Sequence, residues 1–119
     1  MRAARLLVVE DESHLAEVVA DNLRLEGYDV DVVGDGEQAL TTIRADTPDL
    51  VLLDVMLPGR DGFSVCETLR AEGNAVPILF LTAKHSRDDR VHGLELGGDM
   101  YINAVPAIEA AQRLRSALA

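Results

Sequence analysis

The chain has 119 residues, which is room for one domain of ordinary size and not for two. Hydrophobic residues make up 48% and charged residues 27%, so the composition predicts a folded core. The net charge of -10 argues against direct binding to nucleic acid or to an anionic membrane, because both would repel the chain. The single cysteine, Cys66, excludes an internal disulfide. The first apolar stretch is too short for a signal peptide or a membrane span, so we expect a cytoplasmic protein.

Short apolar runs alternate with segments of helical period along the chain. The runs predict strands at Leu6 to Val9, Asp29 to Val33, Leu50 to Leu53, Ile78 to Leu81 and, more weakly, Met100 to Ile102. Apolar residues spaced by three and four follow the first run and predict a helix that begins after Asp11 or Ser13 and ends at Gly27. The apolar positions of that helix are Leu15, Val18, Val19 and Leu23, and the later helices are marked by Ala39 and Ile43, Phe63 and Leu69, Val91 and Leu94, and Ile108 and Leu118.

The alternation of strands and helices predicts an α/β fold with a parallel sheet, because each helix returns the chain to the same end of the sheet. The runs LLVV and LVLL are apolar at every position, as central strands covered on both faces require. The second run alternates with Asp and suits an edge. We therefore expect one domain over residues 1–119, with five strands in the order 2-1-3-4-5 and helices on both faces, the flavodoxin-like or CheY-like arrangement.

Acidic and hydroxyl side chains follow the strands that flank the point where this strand order reverses. The first strand is followed by Glu10, Asp11 and Glu12, the third by Asp54 and the fourth by Thr82, and such strand ends form the binding crevice of an open α/β sheet. Carboxylates about 5 Å apart repel by roughly 3 kcal/mol per pair at an effective dielectric of 20. Oxygen ligands without His or Cys suit Mg²⁺. A carboxylate beside that ion can attack a phosphoryl group, and the Thr82 hydroxyl can donate to it.

Four segments of the chain resemble the receiver domains of bacterial two-component response regulators: VVEDE, LVLLDVMLPGRDG, PILFLTAK and DRVHGLELGGDMYI. They match in order and spacing over about residues 5–103, and the last is most similar to the OmpR/PhoB class. The resemblance implies a signalling phosphoacceptor rather than an enzyme. The functional residues that it implies are Asp54 as phosphoacceptor; Glu10, Asp11, Asp54 and the Met56 carbonyl as Mg²⁺ ligands; and Thr82 and Tyr101 as switch residues.

The same resemblance implies the partners. A sensor histidine kinase would donate the phosphoryl group, and the face between the fourth and fifth helices would form a homodimer. Receivers of this class are normally joined to a DNA-binding domain that regulates transcription. We expect no such effector domain within these residues.

The chain departs from the family pattern after the fifth strand. A Lys-Pro pair is expected there, but Ala104 stands at the lysine position and Pro106 comes one residue late. The neighbouring Asp-Asp-Tyr motif has become Asp99-Met100-Tyr101, which removes a charge from the expected dimer face. Lys84 is the only lysine in the chain. It is a candidate substitute for the missing cation. If residues 82–84 are extended, Lys84 points the same way as Thr82, because side chains in a strand alternate with period two.

Two alternatives remain open. One, suggested by the missing lysine, is a degenerate receiver that acts through phosphorylation-independent protein contacts. Another is a Mg²⁺-dependent phosphohydrolase of the haloacid dehalogenase class with Asp54 as nucleophile, although the Asp-x-Asp pattern of those enzymes is absent from the first strand. Arg60 is a weaker candidate than Lys84 for the substitute cation.

Restoring a lysine should strengthen the link between phosphorylation and switching. A charge-assisted hydrogen bond to a phosphoryl oxygen contributes roughly 1.5 to 3 kcal/mol, which is about a tenfold to hundredfold shift in a two-state equilibrium. Phosphorylation-induced NMR shifts at Tyr101 should therefore be larger in Ala104→Lys than in the parent and smaller in Lys84→Ala. Full shifts of equal size in all three chains would show that no lysine is needed.

Overall fold

The computed structural model describes residues 3–82 and 100–103. Within these ranges strands and helices alternate up to β4, as predicted, and the bounds are β1 Arg5–Val9, α1 Ser13–Leu25, β2 Asp29–Val33, α2 Gly36–Ala45, β3 Leu50–Asp54, α3 Gly62–Ala71, β4 Ile78–Thr82 and β5 Met100–Asn103. The predicted fourth and fifth helices lie outside the described residues. In the part of the chain that is described, no helix has the length and apolar character needed to cross a membrane.

The strands form one parallel sheet in the order β2-β1-β3-β4-β5, which is the order that the sequence predicts. In its register Val9 pairs with Leu53 and Asp54 pairs with Leu81. The carboxyl ends of β1, β3 and β4 therefore lie side by side. The residues that follow these ends are the ones predicted to carry the chemistry.

Both faces of the central strands are buried, as the uninterrupted apolar runs predict. Leu6 and Val8 pack on the side of α1, whereas Leu7 and Val9 pack on the side of α2 and α3. All four side chains are almost fully buried. The β2 strand alternates exposed and buried residues at its start, in agreement with an edge position.

The first helix differs from its prediction in its cap and in its buried face. Neither Asp11 nor Ser13 caps it. The cap is Glu12, whose carboxylate accepts hydrogen bonds from the backbone N–H groups of His14 (3.2 Å) and Leu15 (2.6 Å). Val18, one of its apolar positions, is 41% exposed. The small residues Ala16 and Ala20 are buried in this helix, and Ala20 belongs to the core cluster on the α1 side of the sheet.

Removing the Glu12 cap should destabilise the chain. Loss of a side-chain cap costs on the order of 1 kcal/mol, because helix N–H groups lose their acceptor. Urea unfolding should show this loss for Glu12→Ala. Glu17→Ala is the matched control, since Glu17 lies in the same helix with an exposed side chain and contributes only a 3.9 Å ion pair to Arg24. Equal stability of the two variants would show that the cap is unimportant.

Candidate functional site

Three carboxylates meet at the carboxyl ends of β1 and β3. Glu10 follows Val9, the last residue of β1, and Asp54 follows Leu53, the partner of Val9 in the register. The side chains of Glu10, Asp11 and Asp54 each offer an oxygen atom, and these atoms all lie within 4.8 Å of one another. The structure thus brings together three of the residues that the sequence predicts for a metal site. Glu12 is not among them, because its carboxylate caps α1.

The three carboxylates differ in their exposure. Asp11 is exposed and Asp54 is half-buried, whereas Glu10 is 6% exposed and is the one buried charged residue in the described part of the chain. The backbone N–H of Glu10 donates to the Val33 carbonyl at 3.1 Å, which ties the residue to the edge strand. Its Oε2 atom is buried and has no hydrogen-bond partner among the described residues. Burying a polar atom without a hydrogen bond is unfavourable, and a hydrogen-bond donor or a cation next to Oε2 would offset this cost.

Burial and neighbouring acids raise the pKa of the Glu10 carboxyl above its ordinary value. Burial is the largest cause, followed by a hydrogen bond to Asp54 and repulsion from Asp54 and Asp11, and together they raise the pKa of Glu10 to about 9. A cation placed among the three carboxylates would act in the opposite direction, because it favours their charged forms. The three carboxylates together therefore favour the binding of a cation.

The loop between β3 and α3, residues 55–61, closes tightly behind Asp54. The N–H of Met56 donates to Asp54 Oδ1 at 3.2 Å, and the N–H of Gly62 donates to the Val55 carbonyl at 3.0 Å. A Cβ atom on Gly62 would lie 2.1 Å from the backbone oxygen of Asp54. Only glycine at the first position of α3 lets the helix start this close to Asp54. The spacing of residues in the sequence does not show this close approach.

Two of the remaining predicted site residues, Thr82 and Tyr101, lie in strands of the sheet. Thr82 ends β4, one residue beyond Leu81, which pairs with Asp54. Tyr101 lies in β5 and pairs with Phe80. The candidate cation Lys84 and the departure at Ala104 lie outside the described residues.

The weaker candidate cation, Arg60, is engaged away from the three carboxylates. Its Nε donates to Glu37 of α2 at 2.8 Å, and its Nη1 donates to Thr68 Oγ1 of α3 at 3.0 Å. The guanidinium therefore bridges two helices.

A family model of the response regulator receiver domain matches residues 6–112. This chain belongs to that family. Its curated relatives include DNA-binding response regulators named MtrA, from Mycolicibacterium paratuberculosis and Mycobacterium tuberculosis, each 56% identical over 98 residues. MtrA is an OmpR/PhoB-class regulator, which confirms the class that the sequence indicated. The match covers 82% of this chain and 43% or 42% of those relatives, so the chain spans about two-fifths of their length.

Solved receiver structures share the fold. The BeF3-activated N-terminal receiver domain of Klebsiella pneumoniae RstA is 36% identical, with a TM-score of 0.89 and coverage of 96% of this chain and 97% of that one. The receiver domain of the Francisella response regulator 1452 is 28% identical, with a TM-score of 0.90 and coverage of 95% and 94%. The CheY-like α/β fold that the sequence predicts is thereby confirmed, and the chain is a signalling receiver rather than a conventional enzyme.

The buried Glu10 should give the metal-free chain a distinctive dependence of stability on pH. Because its pKa is raised in the folded state, the stabilisation from neutral Glu10 is fully present below its ordinary value of 4.5 and is lost as the pH rises through about 9. Glu10→Gln stays neutral and should lose less stability over that window. Urea unfolding in EDTA across this pH range measures the difference.

Glu17→Gln is the control for that titration, since Glu17 is exposed and should follow the parent. Parallel stability curves for the parent and Glu10→Gln would show that the raised pKa of Glu10 has no part in folding.

Proposed function

We propose that the chain is a phosphoacceptor receiver that takes a phosphoryl group onto Asp54 from the phosphohistidine of a sensor histidine kinase. The observation that supports this proposal is the convergence of the Glu10, Asp11 and Asp54 carboxylates. In the reaction an Asp54 oxygen attacks phosphorus, the bond between phosphorus and the histidine nitrogen breaks, and that nitrogen leaves with the electron pair and takes up a proton. The product is an acyl phosphate on Asp54 and a free histidine on the kinase.

The residues at the site fit Mg²⁺. They offer only oxygen donors, which that ion prefers, and the buried Glu10 Oε2 atom lacks a partner among the described residues. Glu10, Asp11, Asp54 and the Met56 carbonyl would hold the ion. Bound there, Mg²⁺ would neutralise charge on the phosphoryl oxygens as the new bond forms.

The chain's own residues prepare Asp54 for attack. The hydrogen bond from the Met56 N–H to Asp54 Oδ1 orients the carboxylate, and the backbone of α3 lies against Asp54 at Gly62. Asp54 is half-buried, so a phosphoryl donor can reach it. These contacts hold the nucleophile in place before the donor arrives.

The family and its relatives support a proposed effect of phosphorylation on the rest of the molecule. Thr82 and Tyr101, at adjacent strands of the sheet, would carry the phosphorylation signal to the face formed by the fourth and fifth helices, where a homodimer would form. The MtrA relatives are described as DNA-binding, which supports control of transcription through a segment other than this receiver. Residues 1–119 would act as the regulatory domain and would not contact DNA directly, because the net charge is -10.

The sequence at Ala104 supports a second candidate function, the degenerate receiver that works by constitutive protein contact. Lys84 would be the substitute cation if phosphorylation does switch the domain. The family match supports a receiver over the phosphohydrolase.

Incubation with acetyl phosphate and Mg²⁺ should add one phosphoryl group to Asp54. Intact-mass and peptide mass spectrometry should find the adduct in the parent, no adduct in Asp54→Asn, and a much slower reaction in Asp11→Asn, which removes a ligand charge. Asp31→Asn is the matched control, since Asp31 is an exposed residue of the edge strand β2. A phosphoryl group elsewhere, or none at saturating Mg²⁺, would contradict the assignment and favour the degenerate receiver.

A further inference from the structure

Arg60 connects the β3–α3 loop to both helices on one face of the sheet. Its Nε donates to Glu37 in the first turn of α2 at 2.8 Å. Its Nη1 donates to Thr68 at 3.0 Å and to Ser64 at 3.3 Å, both in α3. The guanidinium thereby uses its fork geometry to hold three oxygen acceptors from two elements.

The backbone of Arg60 is held as closely as its side chain. A Cβ atom on Gly36, the first residue of α2, would lie 2.3 Å from the Arg60 carbonyl oxygen and 3.1 Å from its Cβ. Next to Arg60, Asp61 caps α3 by accepting the Ser64 N–H at 2.8 Å. The last two residues of the loop, Arg60 and Asp61, therefore contact the first turns of α2 and α3.

The beginning of the same loop, Val55 and Met56, carries the backbone groups that lie next to the three carboxylates. The N–H groups of Val55 and Gly62 donate to the carbonyls of Leu81 and Val55, respectively, and so close the loop at its base. Met56 follows with its N–H on Asp54, while its side chain is 58% exposed. Met56 thus has little packing of its own, and its placement depends on how well the rest of the loop is held.

We propose that Arg60 is a positioning residue for this site, one that holds the β3–α3 loop so that Met56 and Asp54 are arranged for Mg²⁺ before the ion binds. Because its side chain binds Glu37, Ser64 and Thr68, Arg60 would not be a ligand of the ion or the phosphoryl group. The inference rests on the proposed function for its effect on Mg²⁺, and on the described contacts for its effect on the loop. It also gives Arg60 a role different from that of a substitute cation.

The effect should be modest, because the Glu37 carboxylate is exposed and exposed ion pairs are weak. Loss of the hydrogen bonds from Arg60 should weaken Mg²⁺ binding by roughly threefold to tenfold, the factor that corresponds to about one net hydrogen bond. Loop order lost in the metal-free chain must be recovered on binding, and this loss is the physical source of the weaker affinity.

The chain provides a matched control. Arg44 of α2 donates through its Nε to Glu72 at 3.0 Å, and Glu72 is the carboxyl-terminal cap of α3. This pair joins the same two helices by the same chemistry, but at their carboxyl-terminal ends and not at the loop. Arg44→Met should therefore loosen the helix pair without altering the site.

The experiment compares the full 119-residue chain with Arg60→Met, Arg60→Lys, Glu37→Gln and Arg44→Met. Isothermal titration with Mg²⁺ gives the affinity, and the ¹⁵N-¹H heteronuclear NOE of the Met56 amide in EDTA gives the order of the metal-free loop. We expect weaker binding and a lower Met56 NOE in Arg60→Met, smaller changes in Arg60→Lys and Glu37→Gln, and parent-like values in Arg44→Met. If Arg60→Met does not fold, Glu37→Gln provides the same comparison.

Two results would overturn the positioning role: an unchanged Met56 NOE in Arg60→Met, or equal weakening in Arg60→Met and Arg44→Met. A parent chain that fails to bind Mg²⁺ would instead count against the proposed function. In that case the Met56 NOE, which needs no metal, still decides whether Arg60 orders the loop.

Discussion

The parallel register between β1 and β3 places negative charges side by side at the edge of the sheet. Val9 pairs with Leu53, so the next residues, Glu10 and Asp54, are neighbours, and Asp11 follows directly. Apolar burial of the two strands favours this register, since a shift by one residue would draw a charged residue that flanks an apolar run into the core. The repulsion among the carboxylates is therefore imposed by the hydrophobic core. A cation is the simplest group that offsets it.

The surrounding elements hold the acids in place by contacts that carry no chemistry themselves. Glu12 starts α1 immediately after Asp11, and Gly62 lets α3 begin against the backbone of Asp54. Arg60 ties the intervening loop to α2 and α3. The catalytic proposal for Asp54 depends on this support, because a carboxylate must be held in position to react at a useful rate.

Much of this architecture can be predicted from the sequence because its causes are local. The uninterrupted apolar runs at β1 and β3 indicate strands buried on both faces, and acidic residues directly after them indicate where the chemistry lies. The predicted cap of α1 is wrong because Asp11, Glu12 and Ser13 are adjacent in the sequence. Only the course of the backbone decides which of them accepts hydrogen bonds from the helix N–H groups. Val18 fits the helical period of apolar residues and is nevertheless exposed, whereas Ala16 and Ala20 of the same helix are buried.

The contacts between elements could not be predicted in this way. The close approaches at Gly36 and Gly62 and the bridge from Arg60 to Glu37 depend on how α2 and α3 pack. A glycine at a helix start is the one signal in the sequence for such a close approach. Sequence spacing shows which residues share an element, but the partners that they meet across elements follow from packing.

The metal site is tested most directly by paramagnetic NMR with Mn²⁺, an ion that also prefers oxygen ligands. If Glu10, Asp11 and Asp54 form the site, substoichiometric Mn²⁺ should broaden the backbone amide signals of Asp11, Asp54 and Met56 first, and excess Mg²⁺ should restore them. Broadening centred on other acidic residues, such as Glu17 and Asp21 of α1, or no selective broadening, would contradict a metal site at the ends of β1 and β3.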